Sequence, residues 1–252
     1  MNLLEALLLG LVQGLSEFLP ISSSGHLTLV EHFLGFEDLS GMVLFGLFCH
    51  LGTLLSIVTL FGKEILKALR SKQTFFALIL GTLPLVPLVW IIKPLKSLFD
   101  RLDLLGFFFL TTALLLWLGS RFGTLKKEAR PLDPLAVGLF QALAILPGIS
   151  RSGSTISGAR LLGWAPEKAV TFSFLLAIPA ILGAFLLELK EALSQSVSFE
   201  LMPLAVAFLV SWAAGVVALK IVIRQTEKKN LLPFAWYCLI LGTITLVYFN
   251  YG

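Results

Sequence analysis

One polar phrase occurs twice in this chain, half its length apart. The first copy reads Gly10-Leu-Val-Gln13-Gly-Leu-Ser-Glu17-Phe-Leu-Pro20-Ile-Ser-Ser-Ser24-Gly25-His26. The second reads Gly138-Leu-Phe-Gln141-Ala-Leu-Ala-Ile-Leu-Pro147-Gly-Ile-Ser-Arg151-Ser152-Gly153. Gly10 and Gly138, Gln13 and Gln141, Ser24 and Ser152, and Gly25 and Gly153 are each 128 positions apart. Leu34-Gly35-Phe36 returns at the same offset as Leu162-Gly163-Trp164. What residues 1–128 form, residues 129–252 should form again. The copies differ at Glu17, His26 and Arg151, which are the residues with ionisable chemistry to offer.

The surroundings of these phrases dictate the fold class. The chain is 57% hydrophobic and 13% charged, where a soluble domain carries about 25% charged residues. Its apolar runs are long enough for a bilayer, and in lipid the backbone must satisfy its own hydrogen bonds. The runs lack two-residue alternation, which excludes a barrel and leaves helices. Cys49 and Cys238 both lie in apolar runs and read as small buried hydrophobes, not as a disulfide or metal framework. The first residues lack a basic segment and do not resemble a cleaved signal peptide.

The expected spans are 42–61, 74–92, 104–120, 169–187, 203–220 and 232–249. Loops 62–73, 121–133 and 220–230 are basic and should be cytoplasmic, which accounts for the net charge of +4 without a nucleic-acid partner. Loops 31–41 and 188–200 are acidic and should face outward, and loop 93–103 is mixed. Loop 121–133 and the start of span 169–187 then lie on the same side. Segment 134–165 must therefore enter the membrane and return, turning at Pro147-Gly148. Segment 3–34 repeats this, with helix 3–18 broken at Pro20 and a second helix from about His26 to Leu34. The expectation is a single all-α polytopic membrane domain of six transmembrane helices and two re-entrant helical hairpins. The first repeat is 1–128 and the second is 129–252. Three spans per half is odd, so the halves are oppositely oriented, an inverted-topology repeat of the transporter kind.

The polar residues inside this frame are candidates for function. Gln13 and Glu17, four apart, share a helix face. A carboxylate at such depth is expensive and needs a divalent cation, a proton or an arginine. Ser22, Ser23, Ser24 and Gly25 precede a helix, where unpaired N–H groups attract anions; the hydroxyls also suit helix capping. His26 can accept a proton or attack phosphorus itself. Arg151 stands in the matching second turn among Ser150, Ser152, Gly153, Ser154 and Thr155. Its guanidinium fork fits two phosphate oxygens, or a structural pair with Glu17. His50 either lines the pocket or bonds between helices. Arg160 stays unassigned.

With these residues in view, the chain resembles the undecaprenyl-pyrophosphate phosphatases of the bacitracin-resistance (BacA) type over nearly its whole length. The family's first motif, E/Q-x-x-x-E followed by P-x-S-S-S/T-G-H, matches Gln13, Glu17, Pro20, Ser22, Ser23, Ser24, Gly25 and His26. The second, P-G-x-S-R-S-G, matches Pro147, Gly148, Ser150, Arg151, Ser152 and Gly153. Many members carry an acidic residue just after the position of Phe45, where this chain has Gly46. The resemblance implies a multi-pass bacterial inner-membrane hydrolase whose site opens to the extracytoplasmic side. It also implies removal of the terminal phosphate from undecaprenyl diphosphate, which recycles the lipid carrier of peptidoglycan synthesis.

On that basis Glu17, Ser23, His26 and Arg151 are expected to be catalytic. Ser22, Ser24, Gly25, Ser150, Ser152, Gly153 and Thr155 are expected to bind substrate. The resemblance further implies a divalent cofactor held by Gln13 and Glu17, with magnesium or calcium suited to oxygen ligands. The nucleophile is Ser23 with His26 as base, His26 itself, or a metal-activated water. The partners are the polyprenyl diphosphate and membrane lipid, and a homodimer is compatible with the sequence. Ser24-Gly25-His26 also mimics a type-2 phosphatidic acid phosphatase triplet, but no histidine here has an arginine six positions before it. The alternative from another class is a secondary transporter or polyprenyl-phosphate flippase without hydrolysis.

Overall fold

The computed structural model describes residues 2–35, 39–88, 90, 101–123, 130–194, 201–227 and 230–251, and every regular element among them is helical. Helix α1 (Leu3–Phe18) opens with a capping box. The Asn2 side chain accepts from the Glu5 N–H at 2.9 Å, while the Glu5 carboxylate accepts from the Asn2 N–H at 2.8 Å. The helix stops two residues before Pro20, whose missing donor cannot continue it. Helix α2 (Ser23–Leu34) ends at Gly35 in the left-handed conformation.

Helix α3 (Leu39–Arg70) overruns the span expected at 42–61. It bends at Phe61 and continues through Lys63, Lys67 and Arg70, so much of the basic loop 62–73 is helix. Helix α4 (Lys72–Thr82) covers only the first part of the span expected at 74–92. It has 11 residues and gives way to a 3-10 turn at Leu83–Leu85. Pro84 has no N–H to bond back and its ring crowds the preceding carbonyls, and Pro87 repeats the obstacle. Residues 91–100, including most of loop 93–103, lie outside the described residues.

Helix α5 (Leu102–Phe122) contains the span expected at 104–120. Helices α6 (Asp133–Leu143) and α7 (Arg151–Leu161) form the second short pair, which begins one residue before the segment expected at 134–165 and ends inside it. Helices α8 (Pro166–Ser194), α9 (Leu201–Glu227) and α10 (Leu232–Tyr251) follow, α8 carrying Pro179 within it. Parts of the loops expected at 31–41, 121–133, 188–200 and 220–230 fall outside the described residues. Among the described residues, α3, α5, α8, α9 and α10 are long and apolar enough to cross a membrane. The chain is a multi-pass membrane protein.

Helix α1 packs along α9 and α9 along α3, while α5 packs along α10; α7 lies against α5, α6 and α8. A core of Phe18, Ile57, Phe61, Leu116, Ile156 and Phe174 ties these helices together below the first turn. The Phe174 ring takes Phe18 at 5.7 Å and Phe61 at 5.6 Å between ring centroids. Lipid offers no hydrophobic drive for helix pairing, so close approach of backbones decides it. Gly14 provides that approach: a Cβ there would stand 2.5 Å from the Ser211 carbonyl oxygen and 2.7 Å from Ala214 Cβ on α9. At Gly183 on α8 nothing lies within 4 Å of an added Cβ. Gly14→Ala should therefore destabilise by about 1–3 kcal/mol and lower the melting temperature in detergent, with Gly183→Ala unchanged. Equal melting of the two variants would contradict this packing.

Candidate functional site

The two helix breaks meet. Ser22 caps α2 by accepting from the Gly25 N–H at 3.3 Å, and Ser150 caps α7 by accepting from the Gly153 N–H at 3.1 Å. These are equivalent positions of the repeat. The likeness extends to the hydroxyl pairs Ser22–Ser24 at 3.3 Å and Ser150–Ser152 at 3.2 Å.

Each turn also bonds to the other. Ser22 Oγ accepts from the Gly148 N–H at 3.0 Å, and Ser152 Oγ donates to the Leu19 carbonyl at 3.2 Å. Flanking spans hold the turns in place. Thr112 of α5 donates to the Gly148 carbonyl at 2.8 Å and accepts from the Ser150 N–H at 2.9 Å. The Cys238 thiol of α10 approaches the Pro20 carbonyl at 3.8 Å. The fit is tight at Gly25, where a Cβ would stand 2.9 Å from Gly148 Cα. Gly148 itself has φ of +98° and Ser22 has φ of +73°. Ser22 is the one described non-glycine residue with positive φ, and its bonds hold it there.

Between the turns lies one ion pair. Arg151, at the first position of α7, reaches across to Glu17 in the last turn of α1 and donates from Nη2 to Oε1 at 3.0 Å. The Glu17 side chain is 8% exposed and that of Arg151 15% exposed. The other carboxylate oxygen accepts from Ser23 Oγ at 2.8 Å and from Gln13 Nε2 at 3.1 Å. His50 lies within electrostatic reach of the same carboxylate. A cavity of about 50 Å³ opens beside the pair. Ser16, Glu17, Ser22, Ser23, Ser24, Ala144, Ile149, Ser150 and Arg151 line it. Cavities of about 680 and 430 Å³ flank α4, but neither touches this cluster.

The expected site residues are thus placed as follows. Glu17, Ser22, Ser23, Ser24, Ser150 and Arg151 share the cavity wall. Gln13 stands behind Glu17, and its amide oxygen is buried without a hydrogen-bond partner among the described residues. Ser152, Gly25 and Gly153 form the seam between the turns. Thr155 is buried one turn behind Arg151 and bonds to Ser173 Oγ at 2.6 Å. His26 turns away from Glu17, and its ring nitrogens bond to the Ser22 carbonyl and the Tyr237 hydroxyl. Arg160 donates to the Trp164 and Gly123 carbonyls at 2.7 and 3.0 Å and ties helix ends together.

Residues 6–244 match the model of the family described as bacitracin resistance protein BacA. The chain belongs to the BacA family. It is 50% identical over 257 residues to an undecaprenyl-diphosphatase of Protochlamydia amoebophila, covering 99% of this chain and 100% of that protein. It is 42% identical over 259 residues to the undecaprenyl-diphosphatase of Carboxydothermus hydrogenoformans, covering 98% and 97%. A third, from Rhodopirellula baltica, is 41% identical over 256 residues, covering 98% of each chain.

In this BacA-family chain three supporting residues escaped the sequence reading. Thr112 anchors the second turn. Ser173 of α8 offers its carbonyl to Arg151 Nη1 at 3.5 Å and its hydroxyl to Thr155. Tyr237 meets His26. Each is a polar residue inside an apolar span, and that was the available signal. Ser22→Ala removes both the α2 cap and the acceptor for Gly148 while keeping the strained backbone. It should cost about 1–2 kcal/mol as a lost cap alone. Ser22→Gly loses the same bonds but relaxes the positive φ, so it should melt above Ser22→Ala. The reverse order in detergent melts would show that Ser22 is unstrained.

Proposed function

We propose that this BacA-family chain hydrolyses undecaprenyl diphosphate to undecaprenyl phosphate and inorganic phosphate, recycling the lipid carrier of cell-wall synthesis. The observation that carries this is the convergence of Ser23, Glu17 and Arg151, from opposite halves of the chain, on one cavity at two helix N-termini. Phosphoryl transfer needs positioning and charge stabilisation more than anything else. Arg151 and the N–H groups opening α2 and α7 supply donors for the phosphoryl oxygens.

Ser23 is the nucleophile in this account. Its hydroxyl already donates to Glu17, so the proton has an acceptor as Oγ attacks the terminal phosphorus. The Oγ–P bond forms, the bridging P–O bond breaks, and undecaprenyl phosphate leaves with the electron pair. Water then cleaves the phosphoserine, and Glu17 returns the proton to Ser23. Direct attack by His26 is disfavoured, because both its ring nitrogens are engaged.

A divalent ion fits this site in part. Glu17 and Arg151 cancel in charge, so nothing within the pair offsets the charge of a diphosphate. Glu17 and the unpartnered Gln13 amide oxygen would hold the ion. Among the described residues no cluster of three His, Cys, Asp or Glu surrounds it, so phosphate oxygens and water would complete its shell. When bound, magnesium or calcium would supply positive charge to the phosphates.

The architecture belongs to the same proposal. Six spans, two re-entrant hairpins (α1–α2 and α6–α7) and oppositely oriented halves 1–128 and 129–252 bring the turns to the middle of the inner membrane, with the site facing outward. The equivalent caps at Ser22 and Ser150 support the repeat, as do equivalent anchors on Pro20 and Gly148 from α10 and α5. A transporter or flippase without hydrolysis would not need Ser23 aligned on Glu17.

The test is phosphate release from a polyprenyl diphosphate in detergent. The wild type should release phosphate, lose activity to a chelator and regain it with magnesium or calcium. Arg151→Ala should fall by about 100-fold or more, as for a lost oxyanion donor. Rapid quench should trap phosphate on Ser23. Phosphate on His26 would overturn the nucleophile assignment, and no phosphate release would favour the transporter.

A further inference from the structure

His26 is held by a residue 211 positions away. Its Nε2 lies 2.7 Å from the Tyr237 hydroxyl of α10, and its Nδ1 lies 2.7 Å from the Ser22 carbonyl. The two rings stack at 5.6 Å with 10° between their planes, and the edge of Phe109 closes the other side at 5.4 Å. Chemistry fixes the protons. A carbonyl only accepts, so Nδ1 carries the hydrogen. In neutral imidazole Nε2 is then an acceptor, and the Tyr237 O–H must donate to it.

The direction of this chain of bonds is informative. It runs from Tyr237 Oη to His26, and from His26 to the carbonyl of Ser22. Ser22 is the residue with φ of +73°. It precedes Ser23, and its own hydroxyl takes the Gly148 N–H from the opposite turn. The Ser22 carbonyl takes two bonds from His26, the helical one from the main-chain N–H at 3.2 Å and a second from Nδ1 at 2.7 Å, so the imidazole adds a tie to a carbonyl that the helix already engages. Tyr237 is 43% exposed on the flank of α10, so the relay starts at the protein surface and ends at the strained turn.

We propose that Tyr237 is a positioning residue for the hydrolytic site. Through the His26 tautomer it locks the Ser22 carbonyl and so sets where the Ser23 hydroxyl stands against Glu17. The role of Tyr237 in turnover rests on the phosphatase reading; the tautomer does not.

Tyr237→Phe isolates the effect, since Phe keeps the ring stack and removes only the donor. The chain has three histidines, so a sample with 15N-labelled histidine in lipid nanodiscs gives a tractable spectrum, and comparison with His26→Gln assigns His26. At about pH 8, where histidine is neutral, wild-type His26 should show a protonated Nδ1 and a bare, hydrogen-bonded Nε2. In Tyr237→Phe the Nε2 resonance should move toward its unbonded position. The kcat for a polyprenyl diphosphate should drop about 10-fold, the worth of one hydrogen bond, with KM within about twofold. A protonated Nε2 in the wild type overturns the tautomer. A shifted Nε2 with unchanged kcat overturns the positioning role. A wild type with the expected tautomer but no hydrolysis would instead refute the phosphatase reading and, with it, the role of Tyr237 in turnover.

Discussion

The structure depends on two chain reversals that complete each other's hydrogen bonds. A broken helix inside a membrane leaves amides and carbonyls that lipid cannot satisfy. Here the Gly148 N–H finds Ser22 Oγ, and the Leu19 carbonyl finds Ser152 Oγ. The Leu19 carbonyl also accepts from the Ile21 N–H of its own turn at 2.7 Å, so the Ser152 bond reinforces the first turn while the Ser22 bond completes the second. The same mutual closure carries Arg151 to Glu17, so a structural necessity and a chemical one share one geometry. Removing either charge would leave the other buried without its partner, at a cost of about 3–5 kcal/mol.

Duplication explains how such a site arises from ordinary parts. Ser22 and Ser150 are equivalent caps, Ser24 and Ser152 equivalent hydroxyls, Gly25 and Gly153 equivalent glycines. The frame is the same twice over. The divergence sits one residue past each cap, where one copy has Ser23 and the other Arg151. One turn therefore presents a hydroxyl and the other a cation, and Glu17, for which the second copy has Ile145, bonds to both. The family match over residues 6–244 covers both copies.

Much of this was legible before any coordinates. The 128-residue offset marked two equivalent turns, which the structure brings into contact, and loop charge set the expectation that residues 134–165 return to their own side. Glu17 and Arg151 stood out because charged groups are costly in apolar surroundings, whereas Ser23 was singled out by the family resemblance. What sequence hid was long-range contact. Nothing in Thr112 announces that it anchors Gly148, and Tyr237 reads as an interface aromatic until its hydroxyl is seen on His26. Ser23 bonds to Glu17, and the residue before it, Ser22, has a positive φ that no serine advertises. The early end of α4 was readable in Pro84 and Pro87, but apolar length outweighed them.

The central claim is that Glu17 and Arg151 act as one buried unit across the two halves. A double-mutant cycle on unfolding in detergent measures this directly, using Glu17→Gln, Arg151→Gln and the pair together. The account predicts that the double variant loses much less stability than the two single losses added, with a coupling of about 2 kcal/mol or more. Additivity to within about 0.5 kcal/mol would mean the two side chains do not interact, and the shared site would be contradicted.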